Sequence, residues 1–236
     1  MISIITWATI ILLTVLLFLA VSLMVIISFP FDKKRKLAHM QCYWWSRAII
    51  ALNPFWDLQV SGLENIDREK TYVVVANHQS LADIVVLYAT CMQFKWVAKE
   101  SLFKLPFVGW SLSLTKHIKL TRGKSESIRK AYKDAIHWLR KDMSVLFFPE
   151  GTRSETDQMN KFQSGAFKLA IKEKRSILPI AIKGTGAAIP KNTWIFKTRV
   201  SAKLKVLPAI GTEDFKAADY VHLRDIVWEE MRKSSE

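Results

Sequence analysis

Cysteine is nearly absent: Cys42 and Cys91 are the only two in 236 residues. Both sit in apolar surroundings and neither has a metal-ligand neighbour at a useful spacing. This argues against a disulfide framework or a zinc site and fits a reducing compartment. Acidic residues are also few, with 21 Asp and Glu against 35 Lys and Arg, giving a net charge of +14. The shortage of negative charge implies an anionic partner: nucleic acid, an anionic membrane surface or a phosphorylated substrate. Nothing in the chain resembles a base-reading module, so nucleic acid is not expected. Internal repeats, low-complexity tracts and long linkers are missing as well.

Charge is missing altogether from the first 31 residues. A run of about 18 apolar residues already nominates a membrane helix, and ISIITWATIILLTVLLFLAVSLMVIISF is longer. A cleavable signal peptide would show a basic start, a shorter apolar core and a small-residue cleavage site, and none is evident. A retained membrane helix is therefore expected. Lys33, Lys34, Arg35 and Lys36 follow at once, which by the positive-inside rule keeps the rest of the chain cytoplasmic. From Lys36 to Leu52, apolar residues recur at helical spacing among Tyr43, Trp44 and Trp45, with Phe55 and Trp56 beyond. This reads as an interfacial helix, and residues 1–56 as a membrane anchor. A tilted span is favoured over a hairpin held in one leaflet.

The remainder, 57–236, has the pattern of a globular domain. Strands are predicted at Asp57–Ser61, Thr71–Ala76, Phe94–Ala98, Ile118–Leu120, Val145–Phe148, Ile177–Lys183 and Val200–Leu207. Helices are predicted at Ser80–Cys91, Ser125–Lys141, Gln163–Glu173 and Ala218–Arg232. Alternation of the two argues for an α/β fold: a mostly parallel sheet flanked by helices, preceded by the membrane-embedded segment.

Two strand ends carry chemistry. In ANHQSLADIVVL, His78 and Asp83 are five residues apart, which on a straight helix would leave them some 140° apart. They meet only if the helix starts after the histidine, and Asn77 and Ser80 are suitable caps for such a start. A carboxylate on one ring nitrogen would fix the tautomer and leave the other as a base. Spacing alone leaves two readings open, an oriented base or a histidine capping a helix. In VLFFPEGTRS, a strand runs into Glu150, Gly151, Thr152 and Arg153. Gly151 permits a tight turn, and Arg153 offers a planar fork suited to phosphate. Ligands bind at the carboxyl ends of parallel strands.

NHQSLAD resembles the NHx4D motif of the glycerolipid acyltransferases, and FPEGTRS matches a second motif of theirs residue for residue. The family resembled is that of the 1-acylglycerol-3-phosphate (lysophosphatidic acid) acyltransferases. Trp96–Trp110 and Ser176–Thr185 resemble two weaker blocks in the expected order. One block departs: in KHIKLTR, Arg122 is kept, but Lys119 and Thr121 stand where apolar and acidic residues are common.

The resemblance implies acyl transfer from acyl-CoA or an acyl carrier protein to the sn-2 hydroxyl of a lysophospholipid, giving phosphatidic acid at a bacterial inner membrane. No metal or further cofactor is expected. His78 would be the general base and Asp83 its orienter. Arg153 would hold the acceptor phosphate, supported by Arg122 and Lys99. Glu150 would hold that loop or orient the acceptor, and Gly151 and Thr152 would shape the turn. Other readings are another lysolipid or glycerol-3-phosphate as acceptor, or a non-catalytic lipid-binding protein. Lys161 to Lys205 holds eleven Lys and Arg against Glu173 alone, suiting an anionic leaflet, coenzyme A or an acidic carrier protein.

Overall fold

The computed structural model describes residues 2–53, 56–154, 158–189, 193, 195 and 199–235. Its strands are β1 (Trp56–Ser61), β2 (Val73–Ala76), β3 (Phe94–Lys99), β4 (Ile118–Leu120), β5 (Ser144–Phe147), β6 (Ile177–Lys183) and β7 (Val200–Val206). The helices are α1 (Ile2–Ile27), α2 (Lys36–Ala51), α3 (Ala82–Leu87), α4 (Glu100–Phe103), α5 (Val108–Leu114), α6 (Ser125–Leu139), α7 (Gly165–Glu173) and α8 (Tyr220–Ser235). The sheet order is β1-β7-β6-β2-β5-β3-β4. Every neighbouring pair is parallel except β6 and β7.

β2 lies at the centre because its VVVA run is apolar on both faces, as a strand covered on both sides must be. Val73 and Val75 face a core closed by α6, α7 and α8, through Ala135, Leu139, Phe167, Leu223 and Val227. Val74 and Ala76 face the other core, which includes Cys42 of α2 and Val86 and Leu87 of α3. β1 and β7 alternate instead. Leu58, Ala202 and Leu204 point inward, while Asp57, Gln59, Lys203 and Lys205 lie on an open, solvated face. Trp56 begins β1, so the expected anchor ends before it; Pro54 and Phe55 lie outside the described residues.

α1 is long and apolar enough to cross a bilayer by length and composition. It is laid along the domain rather than projecting from it. Trp7 and Ile10 near its start pack with Ile189, Val200 and Ala202. Phe18 meets Phe107 and Trp110 at 5.7 and 5.4 Å between ring centroids. Val21 and Val25 near its end pack with Ala38 of α2 and Leu114. Ile4, Ile5, Ile11, Leu12, Leu16 and Leu23 remain exposed along its outer side.

The helix predicted over Lys36–Leu52 is present as α2, and its inner side is well packed. Ser46 donates to the Val85 carbonyl at 2.7 Å, and Tyr43 to that of Met92 at 2.7 Å. Leu37, Met40 and Trp44 stay exposed. His39 is fully buried among the rings of Tyr43, Tyr88, Phe94 and His117, with neither ring nitrogen partnered among the described residues. Burial, then repulsion from Lys95, holds its pKa down to about 3. The unfolded chain therefore binds a proton that the folded chain refuses, so stability should fall as pH drops from about 6.5 towards 3. His39→Phe should reduce that slope by one proton, read from thermal unfolding in detergent across this window. An unchanged slope would place the acid sensitivity elsewhere.

Candidate active site

The carboxyl ends of β2, β5, β3 and β4 share one rim. At the end of β2, Asn77 is not the helix cap that its residue type suggests. Its amide donates to the Ile182 carbonyl at 2.8 Å and its oxygen accepts the Ile182 N–H at 2.7 Å. This clips β2 to β6 and sets the direction in which His78 leaves the strand. The chain then folds back through Gln79 and Ser80, and α3 begins only at Ala82. The predicted helix over Ser80–Cys91 is shorter because the N–H groups of Gln79 and Ser80 turn inward, donating to Asp83 Oδ2 at 2.7 and 2.9 Å. At its other end, residues 88–90 form a 3-10 turn and Cys91 adopts a left-handed conformation.

The fold-back brings His78 Nδ1 to 2.7 Å from Asp83 Oδ2. Asp83 is completely buried, and the Thr185 hydroxyl donates to its second oxygen. A buried carboxylate is tolerable only when so fully hydrogen-bonded. With Nδ1–H donating to Asp83, the lone pair sits on Nε2. The His78 side chain is 13% exposed, which leaves the ring reachable. One face stacks on Phe148, with centroids 4.1 Å apart at 16°, and Phe148 stacks in turn on Trp96. The ring is thus held in place by a carboxylate and an aromatic plate.

The FPEGTRS segment is tied to the same histidine through its backbone. Glu150 accepts the His78 N–H at 2.7 Å and the Asn160 N–H at 2.8 Å, so both of its oxygens serve to join loops. Burial raises the Glu150 pKa, and the two backbone N–H groups partly oppose that rise. The Ser154 N–H donates to the His78 carbonyl at 2.8 Å. Between them Gly151 turns at φ 72°, where an added Cβ would meet open space, so conformation and not room requires glycine. Thr152 is exposed and Arg153 is half-exposed. The Arg153 guanidinium has no side-chain partner among the described residues and remains available to a ligand.

Lys99 ends β3 and Arg122 follows β4, both exposed and on the same rim. At about 4.8 Å per strand they stand roughly 10 and 14 Å across the sheet from β2. Thr121, where the resembled family commonly differs, donates to Glu100 Oε2 at 2.8 Å and ties the exit of β4 to α4. Lys119 lies over the Phe103 ring. The N–H groups of His78, Gln79, Ser80, Gly151 and Ser154 all have protein acceptors. They are therefore not free to bind an oxyanion, whereas the side chains of Arg153, Lys99 and Arg122 have no acceptor among the described residues. No three His, Cys, Asp or Glu side chains converge as a metal site among the described residues.

Residues 57–183 match the sequence family described as Acyltransferase, which spans more than half of the chain and contains His78, Asp83, Lys99, Arg122, Glu150 and Arg153. The chain belongs to that family. A Chlamydomonas reinhardtii 1-acyl-sn-glycerol-3-phosphate acyltransferase is 39% identical over 181 residues, covering 76% of this chain and 54% of the relative. One from Borreliella burgdorferi is 30% identical over 178 residues, covering 75% and 71%. The chain spans about half the length of the first curated relatives it matches. In shape it resembles the crystal structure of the 1-acyl-sn-glycerophosphate acyltransferase PlsC from Thermotoga maritima. The TM-score is 0.76 at 27% identity, with 98% of this chain and 96% of that one covered.

Four members of this acyltransferase rim escape sequence reasoning as site residues. Thr185 lies 102 residues from Asp83, Asn160 bonds Glu150 through its backbone, and Phe148 and Asn77 act as plate and clip. Asn77 and Phe148 carry a signal as the first residues of the two motifs, and Thr185 as the last of the Ser176–Thr185 block; Asn160 carries none.

Proposed function

We propose that this acyltransferase moves a fatty acyl group from a thioester to the sn-2 hydroxyl of 1-acylglycerol-3-phosphate, yielding phosphatidic acid. The observation that carries the reading is His78, held by Asp83 with Nε2 free, beside the unpartnered Arg153. Nε2 takes the hydroxyl proton while the oxygen attacks the thioester carbonyl. Collapse of the tetrahedral intermediate breaks the C–S bond, and the proton passes from the imidazolium to the departing thiolate. Asp83 orients the ring and stabilises the cation. Such general-base assistance contributes about 100- to 10,000-fold, and positioning supplies the rest. Arg153 holds the acceptor phosphate, with Lys99 and Arg122 further along the rim. Glu150, with Gly151 and Thr152, keeps the Arg153 loop against His78.

The placement of α1 supports delivery of the acceptor from a membrane. Both ends of α1 pack on the domain, which favours an α1–α2 hairpin lying in the cytoplasmic leaflet over a projecting span. In a bacterium this would be the inner membrane. The donor is acyl-CoA or acyl carrier protein, reaching the rim from the other side of the sheet. Lys203 and Lys205 project on that side, away from α1. A cavity of about 520 Å³ also opens between α8 and Lys161–Phe162, lined by Arg224 and Trp228. Lys191 and Lys197, part of the same basic stretch, lie outside the described residues.

Purified full chain should be assayed with both donors against lysophosphatidic acid, glycerol-3-phosphate and uncharged lysolipids. Transfer fastest to lysophosphatidic acid is expected; transfer confined to another acceptor would overturn the assignment. Arg153→Ala should raise the acceptor KM by roughly 10- to 150-fold, the loss of a charge-assisted contact of about 1.5–3 kcal/mol. It should leave the donor KM unchanged. A change in the donor KM alone would move Arg153 to the donor site.

A further inference from the structure

The opposite end of the sheet carries a second concentration of positive charge. The turn between α1 and α2 presents Lys33, Lys34, Arg35 and Lys36, and it packs where β3 and β4 begin. Lys95, near the start of β3, has a fully buried side chain whose ammonium donates to the carbonyls of Lys34 and Thr115, each at 2.7 Å. Lys116 reaches the Lys33 carbonyl. Arg35 is only 7% exposed; among the described residues its Nε is buried with no partner, and its guanidinium makes a long contact of 3.5 Å to the Asp32 carbonyl. Its guanidinium lies 5.5 Å over the Phe29 ring.

Countercharge is missing here. None of these six cations has a carboxylate partner among the described residues. Asp32 is close, but its two oxygens accept the N–H groups of Lys36 and Leu37 at 2.7 and 2.8 Å. Burial brings the Lys95 pKa down to about 7 against the opposing pull of Asp32, and Lys116 and Arg35 push in the same direction as burial. Two buried cations, Lys95 and Arg35, beside the exposed Lys116 and with no bonded carboxylate are costly, and an anion would relieve them. Phe29 and Phe31 are 67% and 88% exposed beside them, with Ile26 and Ile27 behind. Bare aromatic rings next to unpaired cations suit the headgroup level of a bilayer. The planar fork of arginine suits phosphate.

We propose that this turn is a second lipid site, binding the phosphate of an anionic membrane lipid between Arg35 and Lys116 and seating the anchor on the sheet. It is distinct from the acceptor position. The four steps from Lys95 to Lys99 alone span about 13 Å at 3.3 Å each, and His78 lies beyond the far rim. The inference rests on α1 lying in a leaflet and not on acyl transfer, so a binding measurement tests it independently.

Full chain carrying Arg153→Ala, which weakens the rim site, should be titrated in detergent with dihexanoyl phosphatidylglycerol and followed by thermal unfolding. Parallel arms use dihexanoyl phosphatidylcholine and inorganic phosphate. A saturable rise in Tm with phosphatidylglycerol alone is expected. Arg35→Gln should weaken it tenfold or more and the exposed Lys36→Gln less than twofold, although each removes one charge. Lys116→Gln, also at the surface, should weaken it about fivefold and serves if Arg35→Gln fails to fold. Equal losses at Lys36 and Lys116 would reduce the site to diffuse attraction and overturn the proposal. So would equal stabilisation by inorganic phosphate, which would make the ligand a free anion, or by phosphatidylcholine.

Discussion

His78→Ala is expected to lower acyl transfer at least 100-fold while leaving the fold intact. The expected loss is that of the base. The fold should survive because the residue holds its neighbours through its backbone. Its N–H would still donate to Glu150 and its carbonyl would still accept from Ser154. The lost contacts are the bond to Asp83 and the stack on Phe148. The measurement is kcat with saturating donor and acceptor, alongside circular dichroism and Tm. Turnover within a few-fold of the parent in a folded variant would remove His78 from the chemistry.

Asp83→Asn should cost nearly as much activity, and stability as well. The carboxylate accepts from His78, from the N–H groups of Gln79 and Ser80, and from Thr185. An amide offers one oxygen to these donors and turns an N–H₂ group towards the rest. With the amide N–H₂ at the Oδ2 position it confronts the His78 Nδ1–H and the Gln79 and Ser80 N–H groups together; with the amide oxygen there, those three keep only a neutral acceptor that no longer stabilises the imidazolium, and the N–H₂ faces Thr185. Leaving buried donors unsatisfied costs about 1–3 kcal/mol each, so a fall of several degrees in Tm should accompany a loss of roughly 100-fold or more in kcat. A variant that kept its Tm and lost only activity would show that the amide fits the loop and acts solely through the ring.

Much of the fold can be read in the sequence because the strands are of two legible kinds. β2 and β6 are continuous apolar runs, buried on both faces, and β7 alternates because one of its faces is open. All seven predicted strands are present. α4 and α5 leave no trace in the pattern: they have four and seven residues, with Pro106 between them. Helices so short have no usable periodicity. α3 starts later than the helix predicted from Ser80 because capping preference says nothing of an aspartate that collects the loop N–H groups instead. Hydropathy found α1 but could not show that one side of it, through Trp7, Val21 and Val25, packs on the domain.

The site was legible where chemistry lies in side chains next to a strand end, as with His78, Asp83 and Arg153. It was not legible where a backbone group or a distant hydroxyl does the work. Asn160 and Thr185 come from segments that only the folded sheet brings to the rim. Glu150 is the intermediate case. Its motif marks it, but its role as a bridge between two loops appears only from its two acceptors.

The most direct measurement gives purified chain, in bilayers, a radiolabelled acyl thioester and 1-acylglycerol-3-phosphate, and follows the label through a single turnover. The expected result is label passing directly into phosphatidic acid, with none held covalently on the protein and none transferred by folded His78→Ala. Label trapped on the protein, released only as free fatty acid, or transferred at the parent rate by His78→Ala would contradict direct transfer by an Asp83-oriented histidine.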